Sequence, residues 1–154
     1  MTTSNLINEF LAQKRFAMIG VSRSPKDFSR TLFSEFLKRG YDVVPVNPHA
    51  TDINGKKPFA SIRDVVPPVT GALLMLPSLF LKQTLTDCVE AGVTLAWIYG
   101  IMGDESTDPH IIKFCEDRGI RVIAGHCPYM FLSEAAMYHR IHGWAWKMVG
   151  YYPK

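Results

Sequence analysis

What most constrains this chain is a repeated alternation between short apolar runs and longer amphipathic ones. Five runs read as strands: RFAMIG (15–20), YDVVPVNP (41–48), GALLMLP (71–77), VTLAWIYG (93–100) and IRVIAG (120–125). GALLMLP is almost wholly apolar, as expected of a strand covered on both faces. Helical spacing fills the gaps. FSRTLFSEFLKR (28–39) sets Phe28, Leu32, Phe33, Phe36 and Leu37 on one face and stops at Gly40. Ser78 is the predicted cap of a helix through LFLKQTLTDCVEA, closed by Gly92. STDPHIIKFCEDR (106–118) has Ser/Asp cap candidates, Pro109 in its first turn and Gly119 behind it. SEAAMYHRIHGWAWKMVG (133–150) predicts an extra C-terminal helix, interrupted or bent at Gly143.

Strand–helix–strand in series predicts an α/β fold with a parallel sheet. The expected class is doubly wound and Rossmann-like, with a five-stranded, mainly parallel sheet and helices on both faces. No repeat, linker or low-complexity stretch interrupts it, so residues 1–154 are read as one domain. Pro45 should end the second strand early or sit where its missing N–H is not needed. The looser stretch 49–69 carries a turn signal at Asn54-Gly55, and Ser61–Asp64 resembles a capping box.

Charge narrows the partners. There are 17 Lys+Arg against 14 Asp+Glu, a net +3, too mild to argue for nucleic acid and compatible with a small anionic ligand if the charge is local. No run approaches the roughly 20 apolar residues of a membrane span. The opening MTTSNLINEFLAQK lacks the basic and apolar regions of a signal peptide. Cys88, Cys115 and Cys127 are odd in number and form no C-x-x-C pair, which reads as reduced thiols in a cytoplasmic protein.

In a doubly wound fold, ligands lie beyond the carboxyl ends of the strands. The residues after each strand are therefore the candidates. GVSRSPKDFSR (20–30) follows the first. Gly20 leaves room for a ligand against the backbone, and Ser22, Ser24 and Ser29 offer hydroxyls. Arg23, Lys26 and Arg30 gather positive charge opposed only by Asp27, and the next helix begins there. Together these residues suit a pyrophosphate; the competing reading is an ordinary solvated loop. Asn47, Pro48 and His49 follow the second strand, with no acid at 46–50 for a bare ribose. That disfavours NAD and leaves NADP open. Leu76, Pro77 and Ser78 follow the third strand, Tyr99 and Gly100 the fourth, and His126, Cys127 and Pro128 the fifth.

The succession GVSRSPK, VVPVNP and INGKKPFASIRD, continued by WIYG and Cys127-Pro128, resembles the small stand-alone bacterial CoA-binding proteins. Their domain is similar to the CoA-binding domain of the succinyl-CoA synthetase alpha subunit. The likeness spans residues 14–130 and includes Ile53, Gly55, Lys57, Phe59, Ser61, Ile62 and Asp64. It implies coenzyme A or an acyl-CoA held across the strand ends. Its pyrophosphate would lie on Gly20, Val21, Ser22 and Arg23, with the adenosine side along Asn47, Pro48 and His49. Leu76, Pro77 and Ser78 would wall the nucleotide or pantetheine, with Tyr99 and Gly100 further along. In the synthetases catalysis needs further domains, so this chain alone is expected not to perform that reaction.

Candidates for catalysis are thin. Cys127 beside His126 is a weak candidate for thiol chemistry, weighed against a structural cysteine in the cleft wall. His139 and His142 lack a third metal ligand at helical spacing. The expected function is a non-catalytic CoA carrier or sensor that binds a small nucleotide ligand. The alternatives are an NADP-dependent oxidoreductase using the same crevice, and an interaction protein with a vestigial cleft. In the last case the tail around Tyr138, Trp144, Trp146 and Met148 would form a homodimer or partner surface.

Overall fold

The computed structural model describes residues 2–99 and 108–132. The order is α1 (Thr3–Ala12), β1 (Arg15–Ile19), α2 (Phe28–Lys38), β2 (Asp42–Val46), a 3-10 turn (Ile62–Asp64), β3 (Gly71–Leu74), α3 (Ser78–Glu90), β4 (Leu95–Ile98), α4 (Pro109–Glu116), β5 (Arg121–Ala124) and a second 3-10 turn (Pro128–Phe131). All five strands are parallel, in the order β2-β1-β3-β4-β5. The fold is therefore the doubly wound α/β class read from the alternation, with strands shorter at their ends than the apolar runs. The extra C-terminal helix, with Gly143, His139, His142 and the tail aromatics, lies outside the described residues.

Strand alternation divides the core in two. Phe16, Met18, Val43, Leu73, Leu95, Trp97 and Ile123 face one layer, where α1 adds Ile7 and Phe10 and α2 adds Leu32, Phe33 and Phe36. Phe10 meets Trp97 edge-on at 5.5 Å, and Phe16 meets Phe36 at 5.0 Å. Ala17, Ile19, Val44, Val46, Ala72, Leu74, Ala96 and Ile98 face the other layer, with Leu81, Leu85 and Cys88 of α3 and Cys115 of α4. Ala17, Ala72 and Ala96 stand in register across β1, β3 and β4. One face of the sheet is thus filled by rings, while the other leaves a row of methyls under helices carrying leucines.

Pro45 is accommodated because β2 is an edge strand. Its carbonyl points outward and accepts from the Phe59 N–H, so the missing N–H of Pro45 faces the same outer side and no bond to β1 is lost. Phe59 in turn accepts from Asn47 N, which fastens the 59–62 segment along the edge. That fastening matters below.

One helix end differs from expectation. Ser78 does not cap α3: the N-cap is Pro77, without a side-chain bond, and Ser78 is the first helical residue. Proline at 77 holds φ near −57° and leads directly into the first turn. The short capped turn expected at Ser61–Asp64 is present: Ser61 Oγ accepts from Arg63 N and opens a 3-10 turn. Helix α1 was not among the expected elements. Its signals are present in the sequence: Thr2 Oγ1 accepts from Asn5 N, and Leu6, Ile7, Phe10 and Leu11 repeat at helical spacing.

Candidate functional site

Sequential connections place β2 on one side of β1, and β3, β4 and β5 on the other. Strand order therefore reverses between β1 and β3, which is where a doubly wound sheet opens a crevice. Three chain segments leave the sheet there, after Ile19, Val46 and Leu74. They are held close: Gly20 N donates to Val46 O at 3.2 Å, and Met75 N donates to Ile19 O at 2.8 Å. Gly20 has φ +95°, and a Cβ on it would lie 2.2 Å from the Met75 carbonyl oxygen. Only glycine fits, because the neighbouring strand end is so near. Its freedom serves the packing of β1 against β3 first.

The turn that follows is braced from within. Val21 is buried, and its carbonyl accepts from Asn47 Nδ2 at 2.8 Å. Asn47 Oδ1 accepts from His49 N at 2.7 Å, so one side chain ties the ends of β1 and β2 together. Ser22 N donates to Ser29 Oγ at 2.9 Å, and Ser29 Oγ donates to Asp27 Oδ1 at 2.7 Å. Ser29 is almost fully buried and starts α2 on the Asp27 cap. Its hydroxyl is committed inside the turn and differs in that from the ligand donor expected of it. Arg30 behaves likewise. Its guanidinium donates to the carbonyls of Ser22 and Arg23 and to Asn54 Oδ1, the last at 2.6 Å. It faces a separate shallow groove with Thr31, Ser34 and Lys38. Arg23, Ser24 and Lys26 remain exposed on the outside of the turn. Ser22 Oγ accepts from Ser24 N at 3.0 Å.

A cleft of about 420 Å³ opens beside this turn. Gly20, Asn47, Pro48, His49, Leu76 and Pro77 line its mouth, and all six come from the strand ends named from sequence. Val21, Ser22, Arg23, Ser24, Lys26, Ser29, Arg30, Ser78 and Tyr99 are not part of its wall. Gly100 lies outside the described residues. Ile19 and Val46, at the ends of β1 and β2, belong to the wall, and six further residues complete it: Ala60, Ser61 and Ile62 from the edge segment, and Phe80, Thr84 and Asp87 of α3. The 59–62 segment reaches it because Phe59 is fastened to the edge of β2. A sequence signal existed in the Ser61-Ile62 motif, while Phe80, Thr84 and Asp87 gave only the i, i+4, i+7 spacing of one helix face.

The ends of β4 and β5 form a different neighbourhood. Tyr99 and Tyr129 each pack against Phe28, with ring centroids 6.0 and 6.4 Å away. Burial pushes the Tyr99 hydroxyl up to about 12, helped by a hydrogen bond with Cys127. His126 lies below the usual imidazole range because it is half-buried, and its carbonyl accepts from Trp97 Nε1 at 2.9 Å. Cys127 is partly exposed, while Cys88 and Cys115 are buried and raised by that burial to about 12 and about 11. Among the described residues no group of three His, Cys, Asp or Glu is placed to hold a metal ion.

Fold and cleft together define a doubly wound parallel α/β domain with an opening at its switch point. A family model described as a CoA binding domain matches residues 14–133, and the chain belongs to that family. It is 28% identical over 129 residues to the alpha subunit of the ADP-forming acetate–CoA ligase II of Pyrococcus furiosus, covering 79% of this chain and 28% of that protein. The chain thus spans about a quarter of the length of that subunit. It is 24% identical to the uncharacterized protein YneT of Bacillus subtilis, covering 79% of this chain and 87% of the other. A Thermus thermophilus protein of known structure superposes with a TM-score of 0.70 at 22% identity, over 92% of this chain and 98% of that one. It shares the fold.

Proposed function

We propose that this protein binds coenzyme A or an acyl-CoA across the ends of β1, β2 and β3, as a non-catalytic carrier or sensor. The observation that carries the reading is the cleft at the switch point, walled by Gly20, Asn47, Pro48, His49, Leu76 and Pro77 in a chain of the CoA-binding family. The nucleoside end enters the cleft between α3 and the 60–62 segment, whose walls are mostly apolar. The pyrophosphate crosses the rim, over the turn that begins at Gly20. There Arg23, Ser24 and Lys26 are exposed and Ser22 is half-buried, next to the N-terminal end of α2. Ser29, Arg30 and Asn47 give that turn its shape. His49, exposed at the mouth, faces the phosphate side of the ribose. The pantetheine arm runs past Pro77 and Ser78 toward Tyr99.

Thermal melting in parallel with CoA, acetyl-CoA, NAD and NADP tests this reading. A ligand at 100 times its dissociation constant stabilises the fold by about 2.7 kcal/mol. CoA or acetyl-CoA should raise the midpoint while NAD leaves it unchanged. A shift with NADP and none with CoA would reverse the assignment.

A further inference from the structure

Among the described residues Asp87 is the one acid in the wall of the cleft, and the packing of the fold leaves part of it unexplained. It sits nine residues into α3 from Ser78, about 14 Å along the helix. Helix α3 runs back from the strand ends, so Asp87 marks the end of the cleft farthest from the phosphate rim. Its side chain is only 20% exposed. Oδ1 accepts from Gln83 Nε2 at 3.3 Å and lies 3.7 Å from Arg63 Nε, while Oδ2 takes part in neither. Arg63 also donates to Glu90 at 2.9 Å, so it fastens the 3-10 turn to α3 from outside and steadies Asp87. Thr84, one turn nearer the rim, lines the same wall. Phe80 lines it too, although 54% of its surface is exposed.

A carboxylate only accepts hydrogen bonds, so an occupant must meet it with an N–H or O–H donor; the ribose hydroxyls of a nucleotide stay beside its phosphates at the rim, so at the far end that donor is an N–H of the base. The occupant must also be flat and apolar on its faces to suit Ile19, Val46, Ile62 and Leu76. We infer that Asp87 and Thr84 hold the exocyclic amino group of the adenine ring, with Phe80 covering the ring's outer face. This assignment rests on the CoA reading above and gives it a base-recognition element. Aromatic stacking alone is tolerant of any base. A carboxylate held in the wall by Arg63 and Gln83 is not, because an analogue lacking the donor forfeits the bond that its partly shielded oxygens offer.

The test is calorimetric titration of the intact chain and of Asp87→Ala with CoA and with 1,N6-etheno-CoA. In the latter a fused ring occupies the amino nitrogen. The unaltered protein should bind etheno-CoA at least about tenfold more weakly than CoA. Asp87→Ala should bind CoA about tenfold more weakly and discriminate the two ligands by no more than about threefold. If Asp87→Ala proves unfolded in its far-ultraviolet spectrum, Asp87→Leu carries the same comparison, since it fills similar space and offers no acceptor. Undiminished discrimination in the folded variant would mean that the extra ring is refused on size alone and would overturn the assignment, while CoA binding stands. So would unchanged CoA affinity in the variant. Failure of the unaltered protein to bind CoA would bring down both readings.

Discussion

The turn after β1 and the cleft beside α3 are neighbours built in opposite ways. The turn is polar and basic, and much of that polarity is turned inward: Ser29 is buried between Ser22 and Asp27, and Arg30 holds two carbonyls and Asn54. The cleft sets the apolar side chains of Ile19, Val46, Ile62, Leu76 and Phe80 beside a few polar groups, Asn47, His49, Ser61, Thr84 and Asp87. Residues that look like ligand donors in a sequence shape the backbone here, and residues that look like core make the cavity. Backbone polar groups in a sharp turn must find partners, and nearby hydroxyl, amide and guanidinium groups supply them.

The largest expected effect tests where the two regions meet. Gly20→Val should lower stability by about 4 kcal/mol, from the positive φ and the clash with the Met75 carbonyl. Urea unfolding measures it; a loss below about 1 kcal/mol would show that the strand ends can part freely. Ser29→Ala comes next. It strips the partner from Ser22 N and removes one of the two donors to Asp27 Oδ1, for about 2 kcal/mol. If CoA affinity fell with no change in unfolding, Ser29 would belong to the ligand site and the contrast drawn here would fail.

Arg23→Ala sharpens the comparison on the binding side. Arg23 is exposed, so its removal should leave stability unchanged and weaken CoA by about tenfold, more than it weakens an uncharged pantetheine fragment. Arg30→Ala should do the reverse and lower the melting midpoint first. Equal loss for both ligands on Arg23→Ala would move the phosphates off this turn. The smallest effect belongs to the end of β5. His126 is neutral in the fold at pH values where the unfolded chain, with a value near 6.5, takes a proton. The stability it carries is therefore present above pH 6.5 and is lost as pH falls through the lowered folded value. Melting midpoints should drop between pH 7 and 5, and His126→Asn should flatten that slope slightly.

Much of the architecture was legible in the alternation of runs. GALLMLP and VTLAWIYG are apolar because β3 and β4 are covered on both faces, and Gly40, Gly92 and Gly119, all at positive φ, end their helices. Helix α1 was missed although Thr2 and the Leu6–Leu11 spacing signal it, because a terminal helix lies outside the strand–helix series that guided the reading. Six of the candidate residues reached the cleft because strand ends converge in any such sheet. Ala60, Ser61, Ile62, Phe80, Thr84 and Asp87 were not called as site residues: their convergence depends on the Phe59–β2 edge bonds and on how closely α3 settles over Ala17, Ala72 and Ala96.

The sequence by itself determined the order of strands and helices, the glycine after β1 and the concentration of charge beside it. These follow from local periodicity and backbone sterics, which need no partner elsewhere in the chain. Only the tertiary structure decided which of those groups face a ligand and which face one another. A hydroxyl or guanidinium bonds whatever acceptor the fold brings within about 3 Å. That proximity is set by packing between segments as far apart as residues 20 and 75, or 63 and 87.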